Sequence, residues 1–385
     1  MSSAAIDPLL SWAKSNQPAL IRLIRELVEC ESPTDSPEAV SRCAMLLADS
    51  FTDIADGQTV PTKGAGRTYV CQFRLHGREK QGKILLLGHS DTVWPLGTLR
   101  SMPFRQRDGR LWGPGVLDMK SGLAMFAFAM RALRELKIPV VHDVHMLVNP
   151  DEETGSAASR ETTEGLATGC RAVLVLEPGT GLDGRVKTAR KGIGGYRVKV
   201  HGVAAHSGVD FEKGASAVVE LSRQIGKIAG FTNLKRGITV NPGVISGGTR
   251  SNVIAATAET QVDIRVPRAR DAAALDKKFR ALRPFDDRCS LEVTGGLNRP
   301  PMERSKGIAE LFRLARGFAA ELGVTMEESS TGGGSDGNFT AALGVPTLDG
   351  IGAVGEGAHA SHESVMVDRL ADRVALMAKL VAGIR

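Results

Sequence analysis

Aromatic residues are scarce in this chain of 385 residues: three Trp, two Tyr and twelve Phe make up 4% of it. Lys and Arg outnumber Asp and Glu by six, yet the two signs alternate along most of the sequence, so no basic stripe forms. Nucleic-acid binding asks for such a stripe and often for stacking platforms, and both are lacking. The modest positive excess suits an anionic small substrate instead. Cysteine is sparse too. Cys30, Cys43, Cys71, Cys170 and Cys289 are odd in number, widely spaced and in no C-x-x-C pair, a pattern that argues against a disulfide framework or a thiolate metal site and predicts reduced thiols. No apolar run approaches the roughly 20 residues of a membrane span. The opening "MSSAAIDPLLSWAKSNQPALIRLIREL" turns charged and amphipathic without a signal-peptide core. The expectation is a cytoplasmic protein with neither a membrane nor a nucleic acid as partner.

What is present points to a globular chain of two domains, because this length exceeds a typical single core and 42% apolar content can fill two. Leu20, Leu23, Ile24, Leu27 and Val28 share one helical face. After that helix come the apolar runs "YVCQF", "KILLLGHSD", "DVHMLVNPDEE" and "AVLVLEPG", separated by helical stretches such as "SGLAMFAFAMRALREL". Alternation of this kind predicts an α/β layer: a mixed, mostly parallel sheet flanked by helices. From residue 188 to 299 the texture changes to alternating strands with the helical stretches "GASAVVELSRQIGKIAG" and "DAAALDKKFRAL", which predicts an inserted α+β domain. Residues 1–187 and 300–385 then form the main domain, the latter part carrying "TGGGSDG", the strand "VPTLDGIG" and a closing helix.

"NPDEETGS" sets Asp151, Glu152 and Glu153 directly behind a buried-looking strand. Adjacent carboxylates repel and are rarely buried unpaired, so a positive partner is required. In open α/β sheets ligands gather at the carboxyl ends of strands. There, "KILLLGHSD" offers His89 and Asp91, "MLVNPDEE" offers Glu152 and Glu153, "AVLVLEP" offers Glu177, the loop "WGPGVLDMKSG" offers Asp118, and "GEGAHASHE" adds His359 and His362. Imidazole and carboxylate donors without thiolate suit zinc or a similar divalent ion, and this many suit a pair of ions. A lone His, such as His76, His142, His145 or His201, reads as an ordinary surface or hydrogen-bonded residue.

In their order and separations, "GHSDTV", "WGPGVLDMKSG", "NPDEETGS", "LVLEP", "GVAAHSG", "SNVI", "VDIR", "TGGGSDG" and "GAHASHE" closely resemble the M20 family of co-catalytic zinc metallopeptidases, in particular its glutamate carboxypeptidase branch. The resemblance implies a zinc-exopeptidase-like catalytic domain with two Zn2+ per subunit, for which Co2+ or Mn2+ could substitute. By that resemblance His89 and Glu177 complete one zinc site, Glu153 and His359 the other, and Asp118, followed by a cis peptide bond, bridges both. Asp91 orients the His89 imidazole and Glu152 is the general base. His359 is preferred over His362 because the family's ligand follows a glycine-rich turn four residues before a Glu, here Glu363; His362 is the fallback.

His206 of "GVAAHSG" is implied as an oxyanion donor from the inserted domain, in its own subunit or its partner. Arg265 of "VDIR", Asn252 of "SNVI" and the backbone around Gly333 are implied to hold the substrate carboxylate, with Arg185 and Arg299 as candidates for a second acidic group. The reaction implied is amide hydrolysis that releases a C-terminal amino acid, glutamate first, from peptides or folate-like N-acyl conjugates. The alternative on the same metal site is an N-acyl-amino-acid deacylase of the acetylornithine or succinyl-diaminopimelate type. The inserted domain is expected to serve as lid and homodimer interface.

Overall fold

The computed structural model describes residues 6–77 and 80–385. Two compact units emerge: one takes the chain up to Ala189 with Arg304–Ser330 and Ser335–Arg385, the other Arg190–Glu303 with Thr331–Gly334. The outlying Thr331–Gly334 segment packs with the second unit for a local reason. Lys191 N donates to the Thr331 carbonyl at 3.0 Å, and Arg190 Nη1 donates to the carbonyls of Gly333 (3.3 Å) and Gly334 (2.8 Å). A side chain at Gly334 would come within 2.6 Å of Ile193 Cδ1 and 2.9 Å of Arg299 Cδ, so any larger residue here would have to displace them.

In the first unit, helix α1 (Pro8–Glu29) begins where Asp7 accepts from Leu9 N (2.9 Å) and Leu10 N (3.2 Å), with Pro8 presetting the first turn. Its buried face holds Leu20, Ile24, Leu27 and Val28, with Leu23 half-buried beside them. Helix α2 (Pro37–Asp49) and the hairpin β1 (Ala55–Pro61) and β2 (Arg67–Phe73) lead to β3 (Lys83–His89). Successive residues of β3 point to opposite faces, so Ile84 and Leu86 enter one core while Leu85 and Leu87 enter another. Burial on both sides is why this strand reads as a continuous apolar run. A short ribbon, β4 (Arg105–Arg107) and β5 (Arg110–Trp112), precedes a turn over residues 113–118 and helix α3 (Ser121–Glu135). Strand β6 (Asp143–Asn149), helix α4 (Arg160–Ala167), β7 (Ala172–Val175) and β8 (Val186–Arg190) follow.

The second unit contains β9 (Gly192–His201), α5 (Ala217–Ala229), β10 (Thr239–Gly247), β11 (Thr257–Val266), α6 (Ala269–Arg280) and β12 (Ser290–Arg299). Its sheet has the order β10-β11-β9-β12 and is antiparallel throughout, with a bulge between Pro242 and Val244. One face buries Tyr196, Val198, Val262 and Ile264 with Phe279 of α6 and Ile228 of α5, and Tyr196 stacks on Phe279 at 3.8 Å between ring centroids. The other face is polar, carrying Arg197, Glu259, Asp263 and Arg265.

The chain then adds α7 (Lys306–Glu321), β13 (Glu328–Thr331), α8 (Gly337–Ala342), β14 (Thr347–Asp349), β15 (Gly355–Glu356), β16 (Ser364–Met366) and α9 (Leu370–Gly383). The first unit's main sheet runs β1-β2-β6-β3-β7-β14-β8-β13. It is mixed: parallel through the central four strands β6, β3, β7 and β14, antiparallel where β1, β2 and β8 join. Register aligns the carboxyl ends. His89 pairs with Asn149 and Leu87 with Val175, so three residues past Asn149 and two past Val175 the chain arrives beside His89. A smaller sheet, β15-β16-β5-β4, frames the loop that bears His359. No helix among the described residues is long and apolar enough to cross a membrane.

Candidate metal centre

Five side chains, each from a different strand end or loop, converge in the first unit. His89 Nε2 lies 3.3 Å from Asp118 Oδ1 and 3.6 Å from Glu177 Oε1. His359 Nε2 lies 3.4 Å from Asp118 Oδ2 and 3.2 Å from Glu153 Oε2. Two nests of donors therefore share one carboxylate, each nest using a different oxygen of Asp118. The Asp118–Met119 peptide is cis. His359 sits in the left-handed region at φ 63°, next to the turn at Gly357. His362 is exposed and its side chain takes no part in the cluster.

The triplet that follows β6 divides three ways. Asp151 is buried and caps the start of the next helical segment, accepting from Ala158 N at 2.8 Å and from Ser159 Oγ; burial pushes its carboxyl up. Glu152 brings a carboxylate oxygen within 4.8 Å of donor atoms of His89 and Glu177. Glu153 faces His359. Fully buried Asp91 organises the group: His89 Nδ1 is 3.0 Å from its carbonyl and 3.3 Å from its Oδ1, while its carboxylate accepts from Glu152 N (3.2 Å), Glu153 N (3.1 Å) and Thr34 Oγ1 (2.7 Å). Behind the triplet, buried Asp336 accepts from Asn149 Nδ2 at 2.7 Å and from Ser156 Oγ, fixing the turn from the other side. Thr34 and Asp336 gave no periodic signal, although Asp336 stands inside "TGGGSDG".

The donor set fits a pair of divalent cations. It holds three carboxylates and two imidazoles and no thiolate, and Glu153 Oε1 is buried without a hydrogen-bond partner among the described residues. Protonation is pulled in directions a cation would relieve. Burial opposes charge on His89, but Asp118, Asp91 and Glu177 hold its pKa well above the ordinary value. Asp118 and Glu153 push His359 up to about 10. Burial works to raise Asp118, yet hydrogen bonds from His359 and His89 hold it well below the usual carboxylate range, while burial pushes Glu153 up. Without a metal, protons are the only cations available to these carboxylates.

Residues of the second unit that sequence reasoning singled out lie together only in part. His206 is exposed; its Nδ1 accepts from Gly208 N at 3.1 Å, which in the neutral ring leaves the proton on Nε2. Asn252 is exposed beside it, its carbonyl accepting from Ser207 N at 3.0 Å. Arg265 is not a free fork. Its Nε and Nη2 each donate at 3.0 Å to the carboxylate of Asp263, on the same face two residues earlier, and Nη1 reaches the Gly332 carbonyl at 3.4 Å. Gly333 N donates to Thr331 Oγ1 at 3.2 Å. Arg299 is buried at the end of β12, and a side chain added at Gly334 would come within 2.9 Å of its Cδ. In the first unit Arg185 pairs with Asp183 at 3.2 Å on the loop after Glu177.

The chain is similar to known peptidases over most of its length. Residues 85–383 match the peptidase family M20/M25/M40. Over 380 residues the chain is 29% identical to carboxypeptidase G2 of Pseudomonas sp. strain RS-16, covering 97% of this chain and 91% of that one. The fold is similar to that of aminopeptidase PepT from Bacillus cereus, with a TM-score of 0.80 at 24% identity over 96% of this chain and 99% of the other. It is also similar to Bacillus subtilis YxeP, described as a dinuclear metal binding peptidase, with a TM-score of 0.68 at 15% identity over 97% and 100% of the two chains. A strand-end cluster built for divalent cations and a match over more than half the sequence lead to one assignment: this chain is a hydrolase belonging to peptidase family M20/M25/M40.

Proposed function

We propose that the protein is a two-zinc carboxypeptidase that hydrolyses the amide bond to a C-terminal amino acid, glutamate in preference, in peptides or folate-like N-acyl conjugates. The observation that carries this reading is the sharing of Asp118 between two donor nests, one with His89 and Glu177 and one with Glu153 and His359. Similarity to a carboxypeptidase named G2 supports the direction of cleavage. When bound, the two ions supply Lewis acidity for water and for the scissile carbonyl.

The chain's own groups do the proton work. Glu152 takes a proton from the attacking water as its oxygen bonds to the carbonyl carbon, and then passes that proton to the leaving amine nitrogen as the oxyanion collapses and the amide C–N bond breaks. Asp91 fixes the ring of His89 and, through the backbone of Glu152 and Glu153, keeps base and ligand in register. His206, with its proton on Nε2, donates to the developing oxyanion. Arg265 binds the substrate carboxylate through the Nη protons that Asp263 and the Gly332 carbonyl do not use, helped by Asn252 and the backbone near Gly333. Arg185 and Arg299 are the candidates for a second acidic group.

The second unit also supports a homodimer. Its edge strand β10 exposes Val244 and Ile245, and α5 exposes Val218 and Val219 alongside Val209 and Phe211. Unpaired edges flanked by apolar side chains are where chains associate.

Amino acid released from a panel of dipeptides and N-acyl amino acids, with zinc-loaded and chelated protein, tests the reading. Zinc-dependent release chiefly of C-terminal glutamate is expected. Preference for acetylated or succinylated basic amino acids would move the enzyme to the deacylase alternative, and no turnover by a zinc-loaded protein would refute both.

A further inference from the structure

We infer that Glu363, which touches neither the proposed ions nor substrate, is the positioning residue that sets the bridging carboxylate of Asp118. Its side chain is completely buried and accepts four hydrogen bonds from residues more than 240 positions away. Oε1 accepts from Leu117 N (2.8 Å) and Asp118 N (3.1 Å); Oε2 accepts from Gly115 N (2.9 Å) and Trp94 Nε1 (2.8 Å). Three of the four donors are backbone amides of one turn, the turn that delivers Asp118.

This turn pairs only part of its own backbone: Val116 N donates to the Gly113 carbonyl at 3.3 Å and Lys120 N to the Gly115 carbonyl at 3.1 Å, which leaves the amides of Gly115, Leu117 and Asp118 to Glu363. Gly113 and Gly115 take φ values of 156° and 71°, which leave successive amides facing inward, and Asp118 and Met119 depart from helical φ/ψ before α3 begins. Buried amides need acceptors. A single ionised carboxylate, which only accepts, meets three of them at once. On the other side, Glu363 lies four residues after His359 and immediately before β16, which pairs with β5, the strand that enters the same turn. One side chain thus locks the loop of His359 to the loop of Asp118, the two groups that stand 3.4 Å apart in the second donor nest. The 94–99 loop is fastened in parallel, by Trp94 to Glu363 and by Gly97 N and Leu99 N to Glu31.

Gln at this position keeps the shape but turns an NH2 group toward amide donors, so Glu363→Gln opposes the arrangement without opening a cavity. The inference rests on the two-metal reading, and two readouts separate their failures. First, metal-stripped protein is titrated with Co2+ and followed by its visible absorption. The native chain is expected to take two equivalents, and the E363Q chain to bind the second at least tenfold more weakly with an altered spectrum, while W94F, which removes one donor and leaves the turn's amides bonded, stays near the native affinity. A native chain that fails to bind two equivalents would sink the two-metal reading; native-like binding of both equivalents by E363Q would sink the role of Glu363. Second, amide hydrogen exchange is measured on the unaltered, metal-free chain, which needs no variant to fold. Protection of the amides of Gly115, Leu117 and Asp118 without metal is expected if Glu363 holds the turn, and exchange at the rate of an open loop would overturn the inference.

Discussion

Glu152 and Glu153 are chemically identical neighbours with different surroundings, and the difference can be measured. Glu153 faces His359 at 3.2 Å, its other oxygen without a hydrogen-bond partner among the described residues, whereas Glu152 lies near His89 and Glu177. Glu152→Gln should lower turnover about 10²- to 10⁴-fold, the usual contribution of a general base, while metal analysis still finds two ions per chain; loss of an ion would reassign Glu152 as a ligand. Asp91→Asn should act differently. An Asn side chain has one acceptor oxygen for the amides of Glu152 and Glu153 and the hydroxyl of Thr34, so metal affinity should fall about 10- to 100-fold. A competition titration with a chelating dye reads it, and unchanged affinity would remove Asp91 from its orienting role. The strand-end residues were legible in sequence because each directly follows an apolar run. Asp263's hold on Arg265 was visible only as the string "VDIR", since i and i+2 on one strand share a face but nothing in the spacing says that the carboxylate has claimed the fork. Glu363 was legible only as a marker for His359, because its partners lie 245 to 269 residues away.

At the scale of elements, period and capping explain most of what could be read. The apolar runs that became β3, β6 and β7 were readable because they are buried on both faces, and α1 because Leu20, Ile24, Leu27 and Val28 recur at helical spacing. Helix α2 is announced in sequence only by the start signal Ser36-Pro37-Glu38, and β15 and β16 are too short to show any period. Asp7 provides a test of capping. Its carboxylate accepts from Leu9 N and Leu10 N and pairs at 2.7 Å with Lys379 of α9, which also meets Glu321 of α7 at 2.7 Å. Burial works against its charge, but Lys379 and the two amides win and hold its pKa below the ordinary 3.8. A depressed carboxylate contributes stability that is full above its unfolded value and lost as pH falls through the depressed one. Asp7→Ala should therefore cost about 0.5–2 kcal/mol near neutral pH by denaturant unfolding, and the gap from the native chain should close as pH drops below 3.8. A gap that persists unchanged in acid would mean that the cap's charge contributes nothing.

For the whole molecule, the change of texture near residue 190 was legible because a half-buried antiparallel sheet alternates where a parallel one does not. That the glycine loop's Thr331–Gly334 packs with the second unit was not, since it depends on Arg190 reaching two carbonyls across 140 residues. The exposed row on β10 and α5 leads to a solution prediction: light scattering should give twice the chain mass, and Val244→Asp with Ile245→Lys should halve it without unfolding the second unit. A native monomer at every concentration would dispose of the interface.

The most direct test of a two-metal hydrolase is to strip the protein with a chelator and restore zinc in measured fractions of an equivalent while following hydrolysis of a C-terminal glutamate conjugate. Activity should be absent in the stripped protein and reach its full value at two equivalents per chain. Full activity that survives complete metal removal would contradict the proposed centre.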